Sequence, residues 1–161
     1  MRCDTKQFAQ MYENIYIDLY RFALCRMRNP QDAQDAVSDA VLAAYENIQK
    51  LRNEDAFKSW MFTILANICK KRLKNHADRQ EKEISGQEKE TGNIAQDTDY
   101  ALALDVRNAF FILSGEEQEI VALSVFGGYN SKEIGKILNM NANTVRSKRS
   151  RALEKMECIL K

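Results

Sequence analysis

Residues 131–151, SKEIGKILNMNANTVRSKRSR, read as two short helices joined by a tight turn. Ser131 can cap the first helix, because its hydroxyl can accept from an unpaired amide of the first turn. Ile134, Ile137 and Leu138 follow at helical spacing as one apolar stripe. Met140-Asn141 breaks the pattern, and Asn141 can cap a second helix from about Ala142. In that helix Val145, Ala152 and Met156 fall on one side. Arg146, Ser147, Ser150 and Arg151 fall roughly opposite, with Lys148 and Arg149 on the flanks. One face can therefore pack while the other carries hydroxyls and guanidinium groups, as a helix-turn-helix recognition helix does. Arginine can pair bidentately with a guanine edge, serine can bond several base edges, and lysine anchors phosphate. A basic amphipathic helix on a protein surface would show the same pattern, so the motif alone leaves both readings open.

Outward from this stretch the chain is helical in pattern nearly throughout. It has 161 residues, one proline and six glycines, and 45% of it is hydrophobic. The expected fold is all-α: two small helical domains, residues 1–75 and 100–161, joined by a flexible linker over 76–99. The linker, HADRQEKEISGQEKETGNIAQDTD, is charged and almost without large apolar residues, so it cannot bury enough surface to offset its ordering entropy. The net charge of +1 names no partner. There is no signal-peptide pattern and no apolar run of membrane length, so no membrane insertion is expected. Cys3, Cys25, Cys69 and Cys158 are scattered, which suits structural thiols in a reduced cytoplasmic protein. His76 is the only histidine, and no cluster of metal ligands accompanies it. No metal, cofactor, catalytic constellation or small-molecule substrate is expected, and an enzyme is disfavoured.

Residues 4–28 carry Phe8, Met11, Tyr12, Ile15, Leu19, Phe22, Ala23 and Arg26 on one face, as a core helix would. Asn29-Pro30 opens a second helix reaching about Ile48. Its apolar stripe is Val37, Val41, Ala44, Tyr45 and Ile48. Opposite lie Asp32, Asp35, Asp39 and Glu46, with no Lys or Arg between Asn29 and Gln49. An all-acidic face forgoes i,i+4 ion pairs. It is either merely solvated or kept for a basic protein partner. A polar connection, Leu51 to Asp55, precedes a helix over Ala56–Asn75, with Phe57, Met61, Ile64 and Ile68 as the expected buried row. Ser59, Thr63, Asn67, Lys70 and Lys74 form a polar row near Trp60 and Phe62. Part of its basic end can be dipole complementarity. Rings beside cations also suit single-stranded nucleic acid. Beyond the linker, Leu102, Val106, Ala109, Phe110 and Leu113 share a face. Ser114 and Glu117 have capping-box spacing, and Gly127-Gly128 stops the helix that follows.

Three stretches together resemble the bacterial sigma-70 superfamily, specifically the small extracytoplasmic-function (ECF) type of RNA polymerase sigma factor. They are DAQDAVSDAVLAAYENI (32–48), AFKSWMFTILANICKKRL (56–73) and LSGEEQEIVALSVFGGYNSKEIGKILNMNANTVRSKRSRALEKM (113–156). The departures are Leu65 before Ala66, Asn143 where the family commonly has glycine, and Asn130-Ser131 for Leu-Ser or Tyr-Ser. The resemblance implies a non-catalytic initiation factor whose partners are core RNA polymerase and promoter DNA. An anti-sigma protein is a further partner that the sequence does not name. Asp32, Asp35, Asp39 and Glu46 would dock on polymerase. Leu51, Arg52, Asn53, Trp60, Thr63, Asn67, Lys70, Lys71 and Lys74 would meet the melted minus-10 element. Ser131, Asn143, Thr144, Arg146, Ser147, Lys148, Ser150 and Arg151 would meet the minus-35 element. The rival class is a helix-turn-helix regulator acting without polymerase docking, which would need neither the acidic helix nor the Trp60 helix.

Overall fold

The structure, a computed structural model, describes residues 4–82 and 98–160, with side chains over 4–77 and 105–160. Among these residues there is no strand. The helices are α1 (Thr5–Met27), α2 (Pro30–Glu46), α3 (Phe57–Lys82), α4 (Thr98–Phe111), α5 (Gly115–Phe126), α6 (Ser131–Leu138) and α7 (Ala142–Leu160), with 3-10 turns at Ile48–Lys50 and Glu54–Ala56.

The ends are chemically marked. Asp4 caps α1 by accepting from the Gln7 amide at 2.7 Å. Asn29 caps α2 by accepting from Gln31 and Asp32, and Pro30 occupies the first turn. Ser114 and Glu117 form the expected capping box at α5. At α6 the cap lies one residue earlier than the sequence suggested. Asn130 and Glu133 make a second capping box, and Ser131 is instead a buried first-turn residue.

α1, α2 and α3 pack as a three-helix unit. The buried face of α2 is small, Ala33, Ala36, Val37, Ala40 and Ala44, so its neighbours approach closely. Val41 is half-buried and Tyr45 exposed, contrary to the expected stripe. In α3 the buried set is Phe57, Met61, Phe62, Leu65, Ala66 and Cys69, while Ile64 and Ile68 are only half-buried. α3 runs to Lys82 and α4 begins at Thr98, so both ends of the expected linker are helical. Its middle, 83–97, lies outside the described residues.

α4 to α7 form the second unit around Leu113, Ile120, Leu123, Ile134, Val145 and Ala152. The two units are not separate beads: α1 packs on α5, α3 packs on α6, and one apolar interior continues through both.

The turn between α6 and α7 passes through Asn139 at φ 57°. Asparagine tolerates this left-handed backbone better than most residues. The turn also crosses Gly135 closely, where the Met140 amide bonds the Gly135 carbonyl at 2.7 Å. A Cβ on Gly135 would stand 2.6 Å from the Met140 carbonyl oxygen. Gly135→Ala is therefore expected to destabilise the protein by about 1–3 kcal/mol, the range for overpacking against a rigid neighbour. Urea denaturation followed by circular dichroism measures it, and an unchanged midpoint would contradict this close packing.

Candidate nucleic-acid interface

The two faces of α7 fall as the spacing predicted. Val145 and Ala152 are fully buried against α5 and α6, while Asn143, Thr144, Arg146, Ser147, Ser150 and Arg151 are exposed. Asn141 accepts from the Asn143 amide at 2.8 Å and starts the helix. The Arg146 Nη1 donates to Asn143 Oδ1 at 2.6 Å, so the side chain at the family's usual glycine position orients the arginine. Two expected contacts are otherwise engaged. Lys148 pairs with Glu116 of α5 at 2.7 Å, and Ser131 is only 8% exposed. Sequence spacing cannot show this, because both partners are set by how α7 lies on α5.

The α3 face is partly as expected. Arg52, Asn67, Lys70, Lys71 and Lys74 are exposed, and Trp60 and Thr63 are half-buried. Thr63 donates to the Ser59 carbonyl at 2.8 Å, a local bond that leaves its oxygen able to accept. Asn53 accepts from the Ala56 amide at 3.0 Å and so shapes the turn into α3. Two readings are corrected. Leu51 is 2% exposed and anchors the connection from inside, and Phe62 is core rather than a ring offered to bases. Both large apolar side chains gain more from burial than from display. Arg52, Trp60 and Thr63 line a cleft of about 420 Å³ whose far wall is Tyr129, Lys136 and Ile137.

On α2, Asp39 and Glu46 are exposed, and Asp32 and Asp35 half-buried. Asp39 is tied by an ion pair to Arg72 of α3. Asp35 accepts from Gln31 at 3.2 Å. The sequence reading missed Leu42. It is 61% exposed and sits on the Asp35–Asp39–Glu46 row at steps of three and four, an apolar side chain among carboxylates. Its spacing marked the face, but nothing in the sequence said that this leucine leaves the core.

Burial pushes the Cys25 thiol up to about 11 and the Cys69 thiol up to about 12, against the lowering effect of nearby arginines. Both are inert thiols at neutral pH. Among the described residues no group of His, Cys, Asp or Glu could hold a metal ion, and no helix is long and apolar enough to cross a membrane.

Comparison with known proteins agrees with this fold. The family model for Sigma-70 region 2 matches residues 11–79, and that for Sigma-70 region 4 matches residues 106–156. The ECF RNA polymerase sigma factor SigM of Mycobacterium tuberculosis is 27% identical over 98% of this chain and 79% of its own length. The RNA polymerase sigma factor SigV of Bacillus subtilis is 29% identical, covering 86% of this chain and 82% of its own. Among solved structures, the sigma factor RpoE in complex with the anti-sigma factor NepR from Bartonella quintana superposes with a TM-score of 0.84. It is 24% identical, covering 97% of this chain and 98% of that one.

Proposed function

This chain belongs to the sigma-70 superfamily, in its ECF type, and on that premise we propose that it binds core RNA polymerase and directs it to promoters by two-point DNA recognition. The observation that best supports this is the exposed Arg146–Ser147–Ser150–Arg151 row on a helix whose other side is locked by Val145 and Ala152. α7 reads the minus-35 duplex in the major groove. The Arg52, Trp60, Asn67 and Lys70 face receives the melted minus-10 strand, with Trp60 stacking on a base and the cations following the phosphates. Strand opening draws on the binding of displaced bases, so no nucleotide hydrolysis is required. The α2 row of Asp35, Asp39, Leu42 and Glu46 docks on the polymerase. A small apolar centre ringed by charge is a common anatomy for such contacts. The protein acts in the cytoplasm, where its polymerase is. The complex of RpoE with NepR, and a second similar structure of CnrH with the cytosolic domain of CnrY, support an anti-sigma-type protein as a further partner.

Co-elution with bacterial core polymerase, followed by run-off transcription, tests the reading. Association with promoter-dependent transcripts supports it. Tight duplex binding without association would replace it with a stand-alone regulator. Arg146→Ala is expected to weaken minus-35 recognition by about 1–3 kcal/mol, the worth of a bidentate base contact. Gel-shift titration of the holoenzyme against wild-type and altered upstream elements reads this, with polymerase binding unchanged. Asp35→Lys is expected to lower polymerase affinity at least tenfold, by placing a cation where a basic surface approaches. Unchanged co-elution would remove the acidic row from the docking face.

A further inference from the structure

The junction between the two units frames a cleft of about 420 Å³. The wall from the first unit carries Lys50, Arg52, Trp60 and Thr63, and the wall from the second carries Tyr129, Glu133 and Lys136. Lys50, Arg52 and Lys136 are exposed, and none of them has an ion pair with a described residue. Glu133 is the acid on the lining, and its Oε1 already accepts from the Asn130 amide at 2.9 Å. Cations thus converge on one space from both walls, in excess over the acid. Such a space attracts an anion, and phosphate is the anion that arginine and lysine hold best.

The cleft also has two rings, each held from behind by the first unit. Trp60 lies against Phe57 at 6.3 Å between ring centroids. Tyr129 is edge-on to Phe62 at 5.6 Å, with the Lys58 ammonium 5.7 Å from its centroid. Gly127 makes that placement possible, since a Cβ there would meet the Tyr129 ring at 2.4 Å. Rings fixed in this way offer a flat ligand an apolar surface at little entropic cost. Polar groups stand beside them. Thr63 donates to the Ser59 carbonyl at 2.8 Å, so its oxygen can accept from a ring amino group. The Tyr129 hydroxyl is buried and has no hydrogen-bond partner. An enclosed polar atom without a partner is costly, and a ligand group reaching it would recover that cost.

We propose that this cleft is a binding site for a single nucleotide carrying two or three phosphates, with the base against Trp60 and Tyr129 and the phosphates on Lys50, Arg52 and Lys136. Size sets the class of ligand. A volume of about 420 Å³ suits one small molecule, whereas a helix about 10 Å across does not fit. The site is distinct from the minus-10 face, because Tyr129, Glu133 and Lys136 belong to the other unit. It stands whether or not Trp60 also meets promoter DNA.

Calorimetric titration of the full chain with ATP, in magnesium-free buffer, tests the site. Inorganic triphosphate and adenosine are titrated beside it as the two halves of the ligand. ATP is expected to bind with a dissociation constant of about 10–100 µM, and each half at least about tenfold more weakly. Trp60 is the single tryptophan, so ATP should quench its fluorescence with the same midpoint. Lys136→Ala is expected to weaken ATP binding at least about tenfold. Lys132→Ala removes the same charge from the same helix, at an exposed position outside the lining, and should leave binding unchanged. ATP binding that depends on Lys136 and not on Lys132 supports the site. No heat and no quenching at millimolar ATP would overturn it. Triphosphate binding as tightly as ATP, or equal losses at both lysines, would reduce the effect to diffuse attraction of a polyanion, and the nucleotide site would fall.

Discussion

Phe62→Ala is expected to lower the unfolding free energy by about 3–5 kcal/mol, the range for emptying a fully buried aromatic site. The side chain is completely enclosed, edge-on to Phe22 at 5.8 Å inside the first unit and to Tyr129 of the second. It therefore loses contacts in both units, and collapse of one cannot fill the void. Urea titration followed by far-ultraviolet circular dichroism measures the change. Trp60→Ala, two residues away but half-exposed, should cost much less stability while abolishing single-strand binding in the holoenzyme. Equal stability losses at both positions would mean that the two rings do not divide the work between core and surface.

Arg26→Ala is expected to cost about 3 kcal/mol, because it removes a buried charged donor and strands Gln118 and Glu119. Glu119 is held above the ordinary carboxylate range by burial, with Arg26 and Lys70 pulling it down and Glu116 pushing it up. A carboxyl whose folded value is raised contributes stability below its ordinary value of 4.5 and loses that contribution as pH rises through the raised value. Removing Arg26 lifts Glu119 further, so the pH-dependent part of the loss extends to higher pH. Paired urea titrations at pH 5 and pH 8 should show Arg26→Ala worse at pH 8 than at pH 5, relative to wild type. Adding Glu119→Gln should flatten that difference. An equal loss at both values would mean that Arg26 and Glu119 are not coupled.

Local chemistry was readable wherever a residue acts on its own helix. The Asn29-Pro30 start, the Ser114–Glu117 box and the exposed row of α7 all follow from spacing. The failures occur where a second packing partner intervenes. α3 is pressed by α1 and α2 on one side and by α6 on another. Its apolar arc is therefore wider than one stripe, and the sequence assigned Phe62 to the surface. Gln118 and Glu119 look like solvent residues by type, yet both are buried, because Arg26 reaches them from 92 positions away in the case of Gln118. At α6 two adjacent residues can both cap, and only the Glu133 bond back to Asn130 decides between them. Residues 76–82 lack large apolar side chains and were assigned to the linker, but they also lack glycine and proline. A helix already nucleated by packing continues through them.

The junction also imposes an order in time. A ribosome finishes α3 roughly 45 residues before it finishes α5, about 2–9 s at ordinary elongation rates. During that interval the nascent first unit can fold, but nothing exists to cover Phe62, Arg26 or the Trp60 cleft. The half-made chain thus displays to its surroundings a surface that the completed chain hides, and any factor that binds this surface has its earliest opportunity at the ribosome.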